Sequence, residues 1–181
     1  MKRALLEIDV QYEYFSGRLP VSHPADSFGH ILAAMDAAHG AGLPIAVIRH
    51  ASPDPESPVF RQGSAEWQLH AEVAGRPYDV LIDKQWPDSF HGTGLGDWLA
   101  ARGVDTVAIA GYMTQMCCQT TASRAWHLGY RVEFIADATG TLDRPGFAGP
   151  VSADELYRSV IAALARYADV LNTGEWLERI A

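Results

Sequence analysis

Cysteine is nearly missing: the 181 residues hold two, Cys117 and Cys118, side by side. Adjacent thiols cannot staple distant parts of a chain together, which excludes a disulfide-built scaffold and makes a reducing cytoplasm the expected location. Basic residues are scarce, with 14 Lys and Arg against 22 Asp and Glu and a net charge of −8. No local Lys/Arg cluster offsets this, so repulsion argues against a nucleic-acid partner. Long apolar runs are also lacking. None approaches the roughly 20 residues of a membrane span, so no membrane partner is expected. The apolar start ALLEIDV is broken by Glu7 and Asp9, and no small-residue cleavage site follows, so it does not read as a signal peptide. Internal repeats and low-complexity tracts are absent. What remains is ordinary, 48% hydrophobic and 20% charged, and the length suits one domain over residues 1–181 that buries roughly 70% of its unfolded surface.

Short apolar, β-branched runs alternate with longer helical patterns. The expected strands are Ala4–Val10, Pro44–His50, Val80–Lys84, Thr106–Tyr112, Arg131–Asp137 and Asp169–Asn172. Most are apolar nearly throughout, as strands covered on both faces are. The expected helices cover about Ser27–Gly40, Glu66–Ala74, Gly94–Arg102, Thr114–His127 and Ser152–Tyr167, with a short one from about Gly174. Ser152 followed by Glu155 reads as a capping box. Alternation of this kind implies an α/β fold, a parallel sheet with helices on both sides. Two irregular segments, 52–63 and 139–150, leave strand ends; they read equally well as pocket walls and as plain surface loops.

Ligands of open α/β sheets bind outside the carboxyl ends of the strands, and three reactive side chains stand there. Asp9 closes the first strand, Lys84 ends the third, and Cys117 lies just beyond the fourth. With Thr114 as a cap, Cys117 falls in the first helical turn, where free N–H groups and the dipole favour a thiolate, lower its pKa and offer donors to an oxyanion. Cys118 points about 100° further round and reads as packing. An aspartate–lysine pair beside a thiol supplies a base for the S–H proton and a cation for the thiolate. The competing readings are a small buried filler for Cys117 and a structural ion pair for Asp9 and Lys84.

These segments resemble a known family. GYMTQMCCQTTASRAWHLGY is similar to the nucleophile motif of the isochorismatase-like cysteine hydrolases, ALLEIDVQ to their first strand, and DKQWPDSFHGTGLGDWL to their lysine segment; IRH, LHAEV and IADATGT match as well. The resemblance runs from about Ala4 to Asn172. It implies a three-layer, Rossmann-like α/β/α fold with a six-stranded parallel sheet ordered 3-2-1-4-5-6 and an Asp9–Lys84–Cys117 triad. It further implies a cis peptide at Tyr112–Met113 and an oxyanion hole made by the N–H groups of Met113 and Cys117. A dimer or tetramer of the chain is expected from the same resemblance. Nicotinamidases of this superfamily hold a metal through D-x-H and a later histidine. Here the loop reads SPDPESP, with Asp54, Pro55 and Glu56, and Val59 takes the place of the later histidine, so neither metal nor cofactor is expected; His70 reads as structural.

True isochorismatases split a vinyl ether and commonly lack the cysteine. A chain keeping Cys117 with Asp9 and Lys84 is better equipped for acyl transfer to sulfur, so hydrolysis of an amide or ureido C–N bond in a small molecule is the expected activity. A vinyl-ether hydrolase and a non-catalytic binding protein are the alternatives. Side chains expected to line the pocket are Gln11, Tyr14, Phe15, Trp86, Phe90, Tyr112 and Met113, five of them aromatic and suited to a flat acyl group. Core packing is the stronger reading for Phe15 and Phe90. His50 reads as an ordinary satisfied histidine, and Arg49 or Arg61 is available for an anionic substrate.

Overall fold

Strands that are apolar on both faces need cover on both, and a parallel sheet between helix layers provides it. In the computed structural model, which describes Met1–Ala181, six strands form one sheet. They are β1 (Arg3–Ile8), β2 (Ile45–His50), β3 (Val80–Lys84), β4 (Thr106–Tyr112), β5 (Arg131–Gly140) and β6 (Asp169–Leu171). The order is β3-β2-β1-β4-β5-β6 and every pairing is parallel. This is the expected fold.

The helices are α1 (Ser27–Gly40), α2 (Ala71–Ala74), α3 (Leu95–Ala101), α4 (Gln119–His127), α5 (Ala153–Leu164) and α6 (Thr173–Ile180). Ile31, Met35 and Ala38 of α1 and Trp176 of α6 pack on one face of the sheet with Leu5, Val47 and Ala110. Leu95 and Leu99 of α3, Ala122 and Ala125 of α4, and Val160 and Leu164 of α5 pack on the other with Leu6, Ile8 and Ile109. Ser152 and Glu155 form the expected capping box at α5.

Several boundaries differ, each for a local reason. β1 stops at Ile8 because Asp9 takes a left-handed φ of 55°, which ends the extended run two residues early. β5 continues to Gly140 because Thr139 and Gly140 pair with Gly111 and Tyr112 of β4. The expected helix over 66–74 shrinks to Ala71–Ala74. Leu69 bridges antiparallel to Gln11, and His70 caps α2 by accepting the Glu72 N–H at 3.3 Å. The stretch from Thr114 divides into a π-helical turn, Thr114–Cys118, and α4.

β1 and β4 are neighbours whose connections leave in opposite directions, so the chain segments beyond their carboxyl ends diverge and leave a crevice there. Gly111 allows them to approach there: it has a φ of 113°, and a Cβ in its place would run into the Ile8 backbone.

Candidate active site

Three strand ends deliver three side chains to this crevice. Lys84 Nζ donates to Asp9 Oδ2 at 2.7 Å and to Cys117 Sγ at 3.3 Å. Both side chains of the ion pair are fully buried, and Cys117 is 5% exposed. Lys84 arrives across β2, since it pairs with His50 in the sheet register. Asp9 is aimed by its own turn: its N–H donates to the Ile48 carbonyl at 2.9 Å, and its carbonyl accepts from the Gln11 N–H at 2.8 Å. A residue in this sparsely populated conformation persists only where its surroundings over-determine it. Asp9 Oδ1 has no hydrogen-bond partner.

Cys117 lies in the π-helical turn after β4, where the Cys118 N–H reaches back to the Met113 carbonyl at 3.2 Å. The Tyr112–Met113 peptide is cis. Thr114 does not cap the turn, as the sequence had suggested; its hydroxyl donates instead to Thr139 Oγ1 at 2.9 Å on β5. Cys118 is fully buried in the core. The lysine segment is tied to α4 by Ser89, whose Oγ lies 2.8 Å from Thr121 Oγ1.

The electrostatics reverse one expectation. The Cys117 thiol is pushed up rather than down: burial dominates, the Asp9 carboxylate adds to it, and the pull of Lys84 does not overcome them. A thiol shut away from water gains little from a turn's N-terminus, because desolvation of the anion outweighs the dipole. Burial works against the charge of Lys84, yet Asp9 and then Cys117 outweigh it and raise the lysine. The resting arrangement is therefore a neutral thiol beside an ammonium–carboxylate pair.

A cavity of about 340 Å³ opens onto Lys84 and is lined by Ala51, Gln62, Gln85, Trp86 and His91. A larger one, about 440 Å³, lies among Glu13, Arg18, Arg61 and Glu66 and holds none of the three central side chains; volume is a poorer guide here than chemistry. Trp86 stands at the first cavity, 51% exposed, with its ring 6.0 Å from that of His91. Gln62, Gln85 and His91 were not anticipated, because polar residues in irregular loops carry no periodic signal.

Other expected pocket residues are elsewhere. Gln11 is fully buried and committed: its amide donates to the His50 carbonyl at 2.8 Å and the Trp67 carbonyl at 2.7 Å, and its oxygen accepts the His50 N–H at 2.8 Å. It is a brace rather than a substrate contact. Tyr112 is 2% exposed, with its hydroxyl 3.1 Å from Ser27 of α1, so it belongs to the core. Phe90 stacks on Tyr130 at 5.9 Å, in the opposite core layer. Phe15 packs between Phe28, His70 and Tyr112. Met113 is 5% exposed and carries its side chain in the same core layer as Tyr14. Tyr14 is buried edge-on to Phe60 and Tyr112, and the charges of Cys117 and Asp9, after burial, push its phenol up.

His50 departs from the satisfied histidine expected: Nδ1 has no partner, and burial, partly opposed by Asp9, lowers its pKa. Arg49 is taken up by Asp83 at 2.7 and 3.1 Å and lies over the Trp67 ring, so it is not free to bind an anion. Asp54 is used locally, accepting the Glu56 N–H at 2.9 Å.

Comparison with known proteins finds relatives of this chain in sequence and in fold. A family model described as the isochorismatase domain matches residues 3–173. The chain is 32% identical over 169 residues to the secreted isochorismatase effector Isc1 of Verticillium dahliae, covering 93% of this chain and 85% of that protein. It is 29% identical over 181 residues to nicotinamidase 3 of Arabidopsis thaliana, covering 87% and 88%. A crystal structure of an isochorismatase-type protein from Burkholderia xenovorans LB400 superposes with a TM-score of 0.95 at 42% identity, covering 98% of this chain and 86% of that one.

Proposed function

Because the chain belongs to the isochorismatase family of hydrolases, we propose that it cleaves the C–N bond of a small amide or ureido compound, with Cys117 as nucleophile. The observation that carries this reading is the position of Lys84 Nζ, within reach of both Asp9 Oδ2 and Cys117 Sγ, with both side chains of the ion pair buried. Similarity to a protein named as a nicotinamidase supports amide cleavage.

In this reading the thiol starts protonated. When a substrate carbonyl meets sulfur, the thiol proton passes to Asp9 Oδ1, the oxygen with no other partner. Sulfur bonds to the carbonyl carbon while Lys84 holds the developing thiolate charge. The N–H groups of Met113 and Cys117 receive the oxyanion. The tetrahedral intermediate collapses as the C–N bond breaks, and Asp9 returns its proton to the departing nitrogen. Water then adds to the thioester, giving up a proton to Asp9; the C–S bond breaks, and the proton goes back to sulfur. The balance is amide plus water to acid plus amine. Trp86 flanks the acyl group at the mouth of the cavity.

The upward shift of the thiol favours one second reading, in which Asp9 performs acid–base work on a vinyl ether and Cys117 is a bystander. Ammonia or amine release from a panel of amides and ureides, measured beside Cys117→Ala and Cys117→Ser, separates the two. Release that vanishes in both variants is expected. Release that survives Cys117→Ala sinks the thioester route and moves the chemistry to Asp9, whereas silence across the panel makes isochorismate the next compound to test.

A further inference from the structure

His50 closes β2, and β2 lies between the strands that deliver Lys84 and Asp9. Neighbouring strands run about 4.8 Å apart, so the lysine stem crosses the end of β2 to bring Nζ to Asp9 Oδ2. His50 is the register partner of Lys84, and paired residues of parallel strands leave the sheet on the same face. The Ala51 N–H donates to the Lys84 carbonyl at 2.8 Å and fixes that register just beyond the histidine. On the other side, the Asp9 N–H donates to the Ile48 carbonyl at 2.9 Å. The imidazole therefore stands beside the ion pair.

The backbone of His50 is gripped, whereas its ring is left with capacity to bind. Gln11 accepts the His50 N–H at 2.8 Å and donates to the His50 carbonyl at 2.8 Å. The ring lies edge-on to Phe60, centroids 5.1 Å apart, and Nδ1 is buried without a partner. Buried polar atoms are nearly always paired, and an apolar side chain would pack here without that penalty. Departures of this kind concentrate at functional sites. The ring as a whole is half-buried, and the next residue, Ala51, lines the cavity onto which Lys84 opens. Burial above all lowers the pKa of the ring, with Asp9 opposing and Lys84 assisting, so it is uncharged at neutral pH. A neutral imidazole offers one donor and one acceptor. An amide or ureido group, with its N–H and C=O, complements both.

We propose that His50 is a substrate-binding residue: its ring hydrogen-bonds the amide or ureido group presented to Lys84 and Cys117, and so selects such compounds over apolar ones of the same shape. The inference rests on the reading of Cys117 as the nucleophile towards that group.

The test alkylates Cys117 with two reagents, using tandem mass spectrometry to keep it apart from Cys118. Iodoacetamide carries a primary amide; isobutyl iodide has methyl groups in place of the amide oxygen and nitrogen. The ratio of the two rates is compared between wild type and two apolar variants, His50→Phe and His50→Leu. His50→Asn and His50→Gln put an amide back near the Nδ1 and Nε2 positions. A change in thiol ionisation alters both rates together, so the ratio reads the contact and not the charge state of sulfur. It is expected to fall about tenfold in both apolar variants, the worth of one hydrogen bond at a buried site, and to recover in the Asn or the Gln variant. The apolar variants are expected to melt at or above the wild-type temperature, because each removes a buried polar atom that has no partner. An unchanged ratio overturns the proposal, and with a lowered melting temperature it makes His50 a packing residue. A ratio that neither amide variant restores also overturns it, as does a wild-type Cys117 that iodoacetamide does not label. Turnover surviving in Cys117→Ala would fall on the thioester route instead; the rate ratio does not depend on turnover.

Discussion

Replacing Lys84 with Met tests the centre of the site. The ammonium is held 2.7 Å from Asp9 Oδ2 with both side chains closed to solvent. Met has a comparable stem but no charge, so the cavity term is small and the main loss is electrostatic. Removing one partner of a buried pair leaves the other charge uncompensated, at a cost of about 3–5 kcal/mol. A domain of this size has total stability of about 5–15 kcal/mol, and each kcal/mol moves its melting temperature by about 2–4 °C. Lys84→Met is therefore expected to melt about 6–20 °C below wild type near neutral pH. Lowering the pH lets the orphaned Asp9 take up a proton, so the deficit should narrow in acid. The double variant Asp9→Asn with Lys84→Met should recover much of the loss, since it leaves no unpaired charge. Lys84 also pulls the Cys117 thiol down against burial and Asp9, so alkylation of Cys117 should slow by at least about tenfold in Lys84→Met. Scanning calorimetry from acid to neutral pH and an alkylation time course read both effects. A melting temperature within about 2 °C of wild type, with alkylation unchanged, would refute the buried-pair argument.

Gln11→Ala leaves the His50 N–H and the Trp67 carbonyl without their partner, which is expected to cost about 2–4 kcal/mol by denaturant unfolding. Its effect on KM should be small beside that on stability; a large KM change in a stable variant would restore Gln11 to the substrate pocket. Trp86→Ala should do the reverse, because the indole is half-exposed at the cavity. Stability should stay within about 0.5 kcal/mol while KM rises, and an unchanged KM would remove Trp86 from the binding surface.

The order of elements, the parallel sheet and the three strand-end side chains were legible in the sequence. Alternating β-branched runs and helical patterns leave few topologies, and a strand's last residue is placed wherever its strand is placed. The family motifs located Cys117 for the same reason, since they are local and contiguous. The environment of those side chains was another matter. The rise of the Cys117 thiol depends on how completely helices and loops exclude water from it, a property of the whole fold and of no segment. Gln11 lies one residue from Val10 at the end of an apolar run, yet its role was decided by His50 and Trp67, which lie 39 and 56 positions away. Among the five aromatic residues near strand ends, the sequence already favoured core packing for Phe15 and Phe90; tertiary packing sent Phe90 and Tyr112 into opposite core layers and left Trp86 at the cavity. Glu7 carried a visible local signal as an interruption in ALLEIDV, but only the sheet showed it enclosed on all sides without a partner. Local pattern determines which residues share an element, whereas charge states and pocket walls follow from long-range burial, which exists only once the chain has closed around them.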